Sequence, residues 1–181
     1  MSTPERLIQI LANKGTLPPA SPWADAVAQV RRELFLPDTF EVNDRTFDRT
    51  RDAKRWAWAV YADLPLVTQI NEGQALGDDA YQRPTSSSSM PTIVLDLLDL
   101  LDGDRVFEAG AGTGYNAAWL CHRLGSDRMT TMDIDPVVTK QAEANLAQAG
   151  FTPQVLCGNA EDGAPYDRTI ATFTLADIPY T

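Results

Sequence analysis

The segment "FEAGAGTGY", residues 107–115, constrains this chain more than any other stretch. Gly110, Gly112 and Gly114 follow a short strand pattern, "RVFEA", and open a helical one, "YNAAWLCHRL". A glycine turn between strand and helix lets a ligand approach the backbone closely, and the free amides of the helix start favour polar or anionic groups. Beyond it, "MTTMDI", "DPVVTKQAEANLAQAG", "PQVLCG" and "RTIATFTL" alternate strand and helix patterns, with an acidic turn between the last two. That alternation predicts an α/β fold whose second half is a parallel sheet covered by helices.

The spacing limits what such a turn can hold. The dinucleotide fingerprint keeps a glycine three residues after its second one, and Tyr115 stands there. Asp133 ends the next strand, where a carboxylate can grip two ribose hydroxyls. Glu108, just before the turn, would repel a pyrophosphate and welcome an ammonium group. A nucleoside joined to an amino-acid ammonium points to S-adenosylmethionine. The plainer readings are a βα turn that binds nothing and a surface acid at Glu108. "LCGNAEDG" follows the third strand, at what would be the adenine end of the pocket. There Asn159, with Ala160 beside it, can accept from an adenine amino group. Asn is also common in turns, so a turn residue is the other reading.

The N-terminal part, residues 1–84, reads as helical. "PERLIQILAN" has apolar residues at near-helical spacing, and in "SPWADAVAQVRREL" Ser21 and Pro22 mark a helix start ahead of the stripe Trp23, Ala26, Val27, Val30 and Leu34. "RTFDRTRDAKRW" reads as charged and exposed, "WAWAVY" as a short helix, "LPLVTQI" as a strand and residues 71–84 as a polar loop. The division expected is 1–84 for a helical, substrate-binding region and 85–181 for a cofactor-binding core. Pro91 starts a further helix, ended by Asp102 and Gly103.

With 25 acidic against 15 basic side chains the net charge is −10, which argues against nucleic acid or an anionic membrane as partner. Acidity of this kind also serves solubility alone. Cys121, Cys157 and the single His122 have no metal-ligand spacing. Cys121 and His122, neighbours on a helix, point about 100° apart and make no nucleophile–base pair. With neither a signal peptide nor a long apolar span in view, a cytoplasmic location is expected.

Taken together, these motifs resemble class I S-adenosylmethionine methyltransferases, and more narrowly the protein-L-isoaspartate O-methyltransferase family. "GDRVFEAGAGTGYNAAWL" is similar to the family's cofactor motif, "RRELFLPD" to its Arg-x-Leu-Phe-x-Pro segment and "YADLPL" to its Tyr-x-Asp-x-Pro-Leu stretch. "SSSMP", Ser87 to Pro91, stands where the family carries Thr-Ile-Ser-Gln-Pro, and "IATFTLADIPY" resembles the end of its fourth strand. Asn159 replaces the usual Asp of the adenine motif, and the stretch from Phe40 to Arg83 is longer than in repair enzymes. "AVYADLPLVTQINEG" with "RPTSSSSMP" is more similar to variants found beside peptide natural-product pathways.

The resemblance implies a Rossmann-like parallel sheet with helices on both faces and an N-terminal helical extension. Its usual seven strands, in order 3-2-1-4-5-7-6, would stop here after the fourth, leaving "RTIATFTL" as an open edge for further sequence or a partner chain. It also implies methyl transfer to an aspartate-type carboxylate of a peptide. Such a carboxylate is ionised at neutral pH, so the site must position it rather than deprotonate it. Neutral hydroxyls suit that task better than an Arg, which would hold the ground state too firmly. Ser87, Ser88 and Ser89 are therefore expected to cradle the acceptor, Ser89 foremost, with Thr85 and Ser86 behind them. Helix capping is the plainer reading of these serines. Trp56, Trp58 and Tyr61 read as core aromatics or as the lining of a peptide groove. The expected substrate is a modified, possibly macrocyclic, precursor peptide whose ester closes to an aspartimide. Isoaspartyl repair, a non-catalytic cofactor-binding module and a nucleotide-dependent oxidoreductase are the alternatives, the last opposed by Glu108 and by the glycine spacing.

Overall fold

The computed structural model describes residues 3–74, 82–160 and 166–172. Two four-stranded sheets share one hydrophobic core. The second is the parallel sheet that the sequence pattern predicts: β5 (Val106–Ala109), β6 (Met129–Asp133), β7 (Gln154–Cys157) and β8 (Arg168–Ala171), in the order β7-β6-β5-β8. The chain reverses direction across the sheet between β5 and β8, and ligands of open α/β sheets bind at such a switch point. Helices α5 (Tyr115–Leu124) and α6 (Pro136–Gln148) contribute Leu120 and Leu146 to the main core, with Val106 and Met129 of the sheet. On the sheet's other face Phe107, Ala109 and Met132 form a smaller cluster with Leu156, Ala160, Tyr166 and Ala171.

The N-terminal part differs from its helical expectation. Helices α1 (Thr3–Lys14), α2 (Ala24–Gln29) and α3 (Ala53–Val60) are present, but an antiparallel sheet of order β2-β1-β3-β4 lies among them. Its strands are β1 (Thr39–Val42), β2 (Arg45–Asp48), β3 (Leu66–Ile70) and β4 (Pro84–Ser88). The charged stretch read as exposed contains β2. Asn43 and Asp44, with φ of 48° and 60°, make the two-residue turn that joins it to β1. Phe40 and Phe47 then face each other across the hairpin and pack on Trp56. Because β4 begins at Pro84 and pairs with β3, the expected division at residue 84 falls at the start of a strand.

Helix α2 is shorter than its apolar stripe. It stops at Gln29, since Val30 and Arg31 are extended, and a tight 3-10 turn at Arg32–Phe35 follows. The break carries Arg32 inward, where it is wholly buried. Helix α4 (Pro91–Leu97) also ends before the expected Asp102-Gly103. Its first turn is held from outside by Asp63, whose carboxylate accepts from the Thr92 amide at 2.8 Å and from Lys14 Nζ at 2.5 Å. Burial pulls the Asp63 carboxyl upward, but these partners outweigh it and hold it below the usual range. The serines before Pro91 are therefore not the caps of this helix.

Candidate functional site

Every residue of the glycine turn sits at the carboxyl end of β5, in the crevice of the switch point. Gly110, Gly112 and Gly114 all have positive φ, 87°, 53° and 84°. The Gly110 and Ala111 amides are fastened to Met132 O at 2.8 and 3.0 Å. Gly112 must be bare for a packing reason: a Cβ there would lie 3.1 Å from Ser87 O, so only glycine lets β4 close over the turn. Gly114 faces another way. Its Cβ would meet Ala142 O and Leu146 of α6 at 3.2 Å, so it serves helix packing rather than an approach to ligand.

Asp133 stands at the end of β6, half-buried. Its Oδ2 accepts from the Gly112 amide at 3.0 Å and its Oδ1 from the Asp135 amide at 3.1 Å. Both oxygens keep lone pairs for a ligand, since a carboxylate has about four acceptor positions. Gly158 N donates to Asp133 O at 3.0 Å, which brings the end of β7 beside the same carboxylate. Asn159, exposed, and Ala160, half-buried, follow directly.

Glu108 is not the open acid that the sequence suggests. It is 1% exposed, with Oε1 accepting from Asn116 Nδ2 at 2.5 Å and Oε2 from Thr131 Oγ1 at 2.6 Å. Burial pushes its carboxyl up to about 7; the two donors pull it down and the charge of Asp133 adds to the rise. Glu108 lines a small cavity of about 20 Å³ together with Tyr115, Asn116, Trp119, Ser87 and Ser89. Tyr115 Oη, Asn116 Oδ1 and Trp119 Nε1 are buried there without a protein partner. Polar atoms in that condition call for a bound group or an ordered water. The cavity shares Ser87, Ser89, Gly110, Gly112 and Thr172 with a groove of about 1220 Å³ that runs past Asp133, Ile134 and Asp135.

The three serines do not act as one cradle. Ser87 and Ser89 line the groove, and Ser89 Oγ reaches Thr172 O at 3.4 Å, near the end of β8. Ser88 is 2% exposed, and its Oγ accepts from Arg32 Nε at 3.2 Å. Ser88 lines the small cavity as its neighbours do, but Arg32 holds its hydroxyl inward and it does not border the groove. Thr85 is a bridge: it accepts from the Glu72 amide and donates to Gln69 Oε1 at 2.8 Å. Trp56 is buried in the core, Tyr61 is buried against Glu33, and Trp58 is 53% exposed beside Arg6, so none of them lines the groove.

The sequence reading missed Arg32, Asn116, Thr131, Gln69 and Asp135. All five lay in segments quoted from the sequence, but none of them was given a role there. Cys121 is buried, its thiol pushed up to about 12 by burial, and His122 lies against Asp25 at 3.5 Å on the far side of α5. Neither borders the groove. Among the described residues no group of three His, Cys, Asp or Glu side chains is placed to hold a metal ion, and no helix is long and apolar enough to cross a membrane.

This geometry has relatives. The model of the protein-L-isoaspartate(D-aspartate) O-methyltransferase family matches residues 2–181. The chain belongs to that family. A protein-L-isoaspartate O-methyltransferase of Methanococcus aeolicus is 36% identical over 125 residues, 66% of this chain and 53% of that protein. One from Methanopyrus kandleri is 31% identical over 182 residues, 97% of this chain and 68% of its own length. A solved protein-L-isoaspartate O-methyltransferase superposes with a TM-score of 0.68 at 25% identity, covering 97% of this chain and 50% of that one. A putative Plasmodium falciparum member, solved with S-adenosyl-L-homocysteine, superposes at 0.60 with 12% identity, over 96% of this chain and 74% of that one, and supports the fold alone. The chain thus spans about half the length of the Methanococcus aeolicus relative.

Proposed function

We propose that this chain carries the cofactor pocket and acceptor wall of an S-adenosylmethionine-dependent O-methyltransferase that acts on isoaspartyl carboxylates of proteins or peptides. One observation carries the reading: Asp133 is fastened to the glycine turn through Gly112, while Ser87 and Ser89 face the same groove from β4. A diol-binding carboxylate thus shares one crevice with neutral hydroxyl donors.

The residues fit the cofactor. Asp133 would take the ribose hydroxyls and the end of β7 the adenine, with Ile134, 76% exposed, beside them as an apolar surface. The partnerless polar atoms of Tyr115, Asn116 and Trp119, with Glu108, suit an amino-acid ammonium and carboxylate. When bound, the cofactor supplies an electrophilic methyl group. The chain itself has no proton to move, because a carboxylate acceptor is ionised at neutral pH. The task left to Ser87 and Ser89 is to orient that carboxylate with neutral hydrogen bonds while the groove excludes water.

The names of the relatives favour an isoaspartyl acceptor over the modified, macrocyclic peptide and aspartimide product expected from the sequence, for which they offer no support. The test is methyl gain by mass spectrometry on paired peptides that differ only in an isoaspartyl or aspartyl linkage. Transfer confined to the isoaspartyl peptide supports the reading. Transfer to neither, with S-adenosylhomocysteine still bound, would leave a binding module and defeat it.

A further inference from the structure

Arg32 is the largest charged side chain in the interior, with no exposure at all. Its five N–H groups meet six oxygens. Nη1 donates to Val60 O at 3.1 Å and Ala62 O at 3.0 Å. Nη2 donates to Leu64 O at 3.1 Å, Ser88 O at 3.2 Å and Ser89 O at 2.9 Å, and Nε reaches Ser88 Oγ at 3.2 Å. No ion pair among the described residues includes it. Asp63, the nearby acid, is held by Lys14 and Thr92. A buried cation matched by carbonyl dipoles, one hydroxyl and the face of the Tyr115 ring at 5.4 Å, with no counter-charge in contact, is a costly fastener. Its position explains the cost, because the peptide groups it holds form the wall of the groove that carries Ser89.

We propose that Arg32 is a positioning residue for methyl acceptance: enclosed behind β4, its guanidinium fixes the Ser88 and Ser89 peptide groups and sets a positive charge behind the wall on which the acceptor carboxylate rests. The second half of this statement builds on the isoaspartyl-methyltransfer reading above; the first does not. Hydrogen bonds from a cation to Ser88 O and Ser89 O polarise those peptides, so the amides of Ser89 and Met90 become stronger donors. A cation one peptide removed from the acceptor attracts a carboxylate without clasping it. A guanidinium in direct contact would form a bidentate pair and stabilise the ground state instead. Arg32 lines neither the cavity nor the groove, so it works through the residues it holds, chiefly the Ser88 and Ser89 peptides and, by its place over the ring at 5.4 Å, Tyr115.

Two variants test this. Arg32→Lys keeps the charge but loses the planar fork, and Ser88→Asp places a carboxylate against Nε and neutralises Arg32 without removing it. Both should raise the KM for an isoaspartyl peptide, and Arg32→Lys should lower kcat/KM about ten- to a hundredfold. S-adenosylhomocysteine affinity should fall much less than KM rises, because Arg32 meets the cofactor cavity only through the Tyr115 ring. Amide hydrogen exchange, which needs no turnover, should speed up at Ser89 and Met90 in Arg32→Lys and stay unchanged over β5 and β6. Loss of cofactor affinity in step with KM would make Arg32 a general core fastener and overturn the proposal. So would an unchanged KM in Ser88→Asp, the variant that decides if Arg32→Lys does not fold. If the wild-type chain methylates no isoaspartyl peptide, the functional reading fails separately. Unaltered exchange at Ser89 and Met90 in Arg32→Lys then overturns the positioning as well.

Discussion

Gln69 Nε2 donates to Asp135 Oδ2 at 2.9 Å, joining residues 66 positions apart across the mouth of the groove. Gln69 belongs to β3 of the antiparallel sheet, and Asp135 caps α6 of the parallel one through the amides of Val137 and Val138. The bond from Gln69, followed by those amides, holds the Asp135 carboxyl below its usual range despite slight desolvation. Thr85 steadies Gln69 from the other side. The bridge is half-exposed, and a ligand entering past it would break and remake this bond. A hydrogen bond to a charged group contributes roughly 1.5 kcal/mol, or about a tenfold change in an opening equilibrium. Gln69→Ala should therefore speed both association and dissociation of S-adenosylhomocysteine severalfold and change Kd less. Stopped-flow rates equal to wild type would show that the ligand's path does not cross this bond.

Asp133 has two duties, and its substitution should show both. Asp133→Ala strands the Gly112 and Asp135 amides, which should cost stability on the order of 1–3 kcal/mol. It also removes the proposed ribose contact, so affinity for S-adenosylhomocysteine should fall by at least tenfold beyond any unfolding. Asp133→Asn retains one acceptor oxygen and should recover part of the stability but little of the affinity. Calorimetric titration beside thermal melts separates the effects, and unchanged affinity in Asp133→Ala would remove the ribose assignment.

The parallel half of this molecule was legible because its signals are local. A glycine turn between two period changes, a carboxylate at a strand end and Pro136 after Asp135 at a helix start each report on their own neighbourhood. Of the antiparallel sheet only β3 was legible. β4 is a run of Pro, Thr and Ser with no apolar alternation, and charged Arg45 and Asp48 masked the alternation of Phe40, Val42 and Phe47. The two-residue turn Asn43-Asp44 was the available hairpin signal and went unread. The burial of Glu108 and Ser88 was not legible either. Whether a polar side chain faces a ligand or the interior depends on partners such as Thr131 and Arg32, 23 and 56 residues away.

Ser89 lines the groove, and among the described residues its hydroxyl bonds to Thr172 O alone, at a long 3.4 Å. Removing that hydroxyl leaves no strong bond unmade, so Ser89→Ala should melt within about 0.5 kcal/mol of wild type. It should bind S-adenosylhomocysteine normally and yet transfer methyl at least tenfold more slowly, the effect of losing an orienting hydrogen bond. Ser87→Ala should show the same pattern more weakly. Single-turnover assays at saturating cofactor make the comparison. Full turnover in Ser89→Ala would place the acceptor elsewhere in the groove.

Glu108 gives the pocket a pH dependence whose sign follows from its shift. Its carboxyl, ordinarily near 4.5, is raised to about 7 in the fold, mainly by burial. The folded state therefore holds this proton more tightly than the unfolded chain. The resulting stabilisation is complete below pH 4.5 and is lost as pH rises to 7 and beyond. Between those limits it amounts to on the order of 3 kcal/mol. Glu108→Gln keeps the shape and cannot ionise, so its Tm relative to wild type should climb by several degrees from pH 5 to pH 8. Binding should run the other way. An ammonium in the cavity favours the ionised carboxylate, so wild-type affinity for S-adenosylhomocysteine should strengthen from pH 6 to pH 8, whereas that of Glu108→Gln should stay weak and flat. Parallel pH profiles for the two proteins would show that Glu108 keeps its proton throughout and does not serve the ammonium.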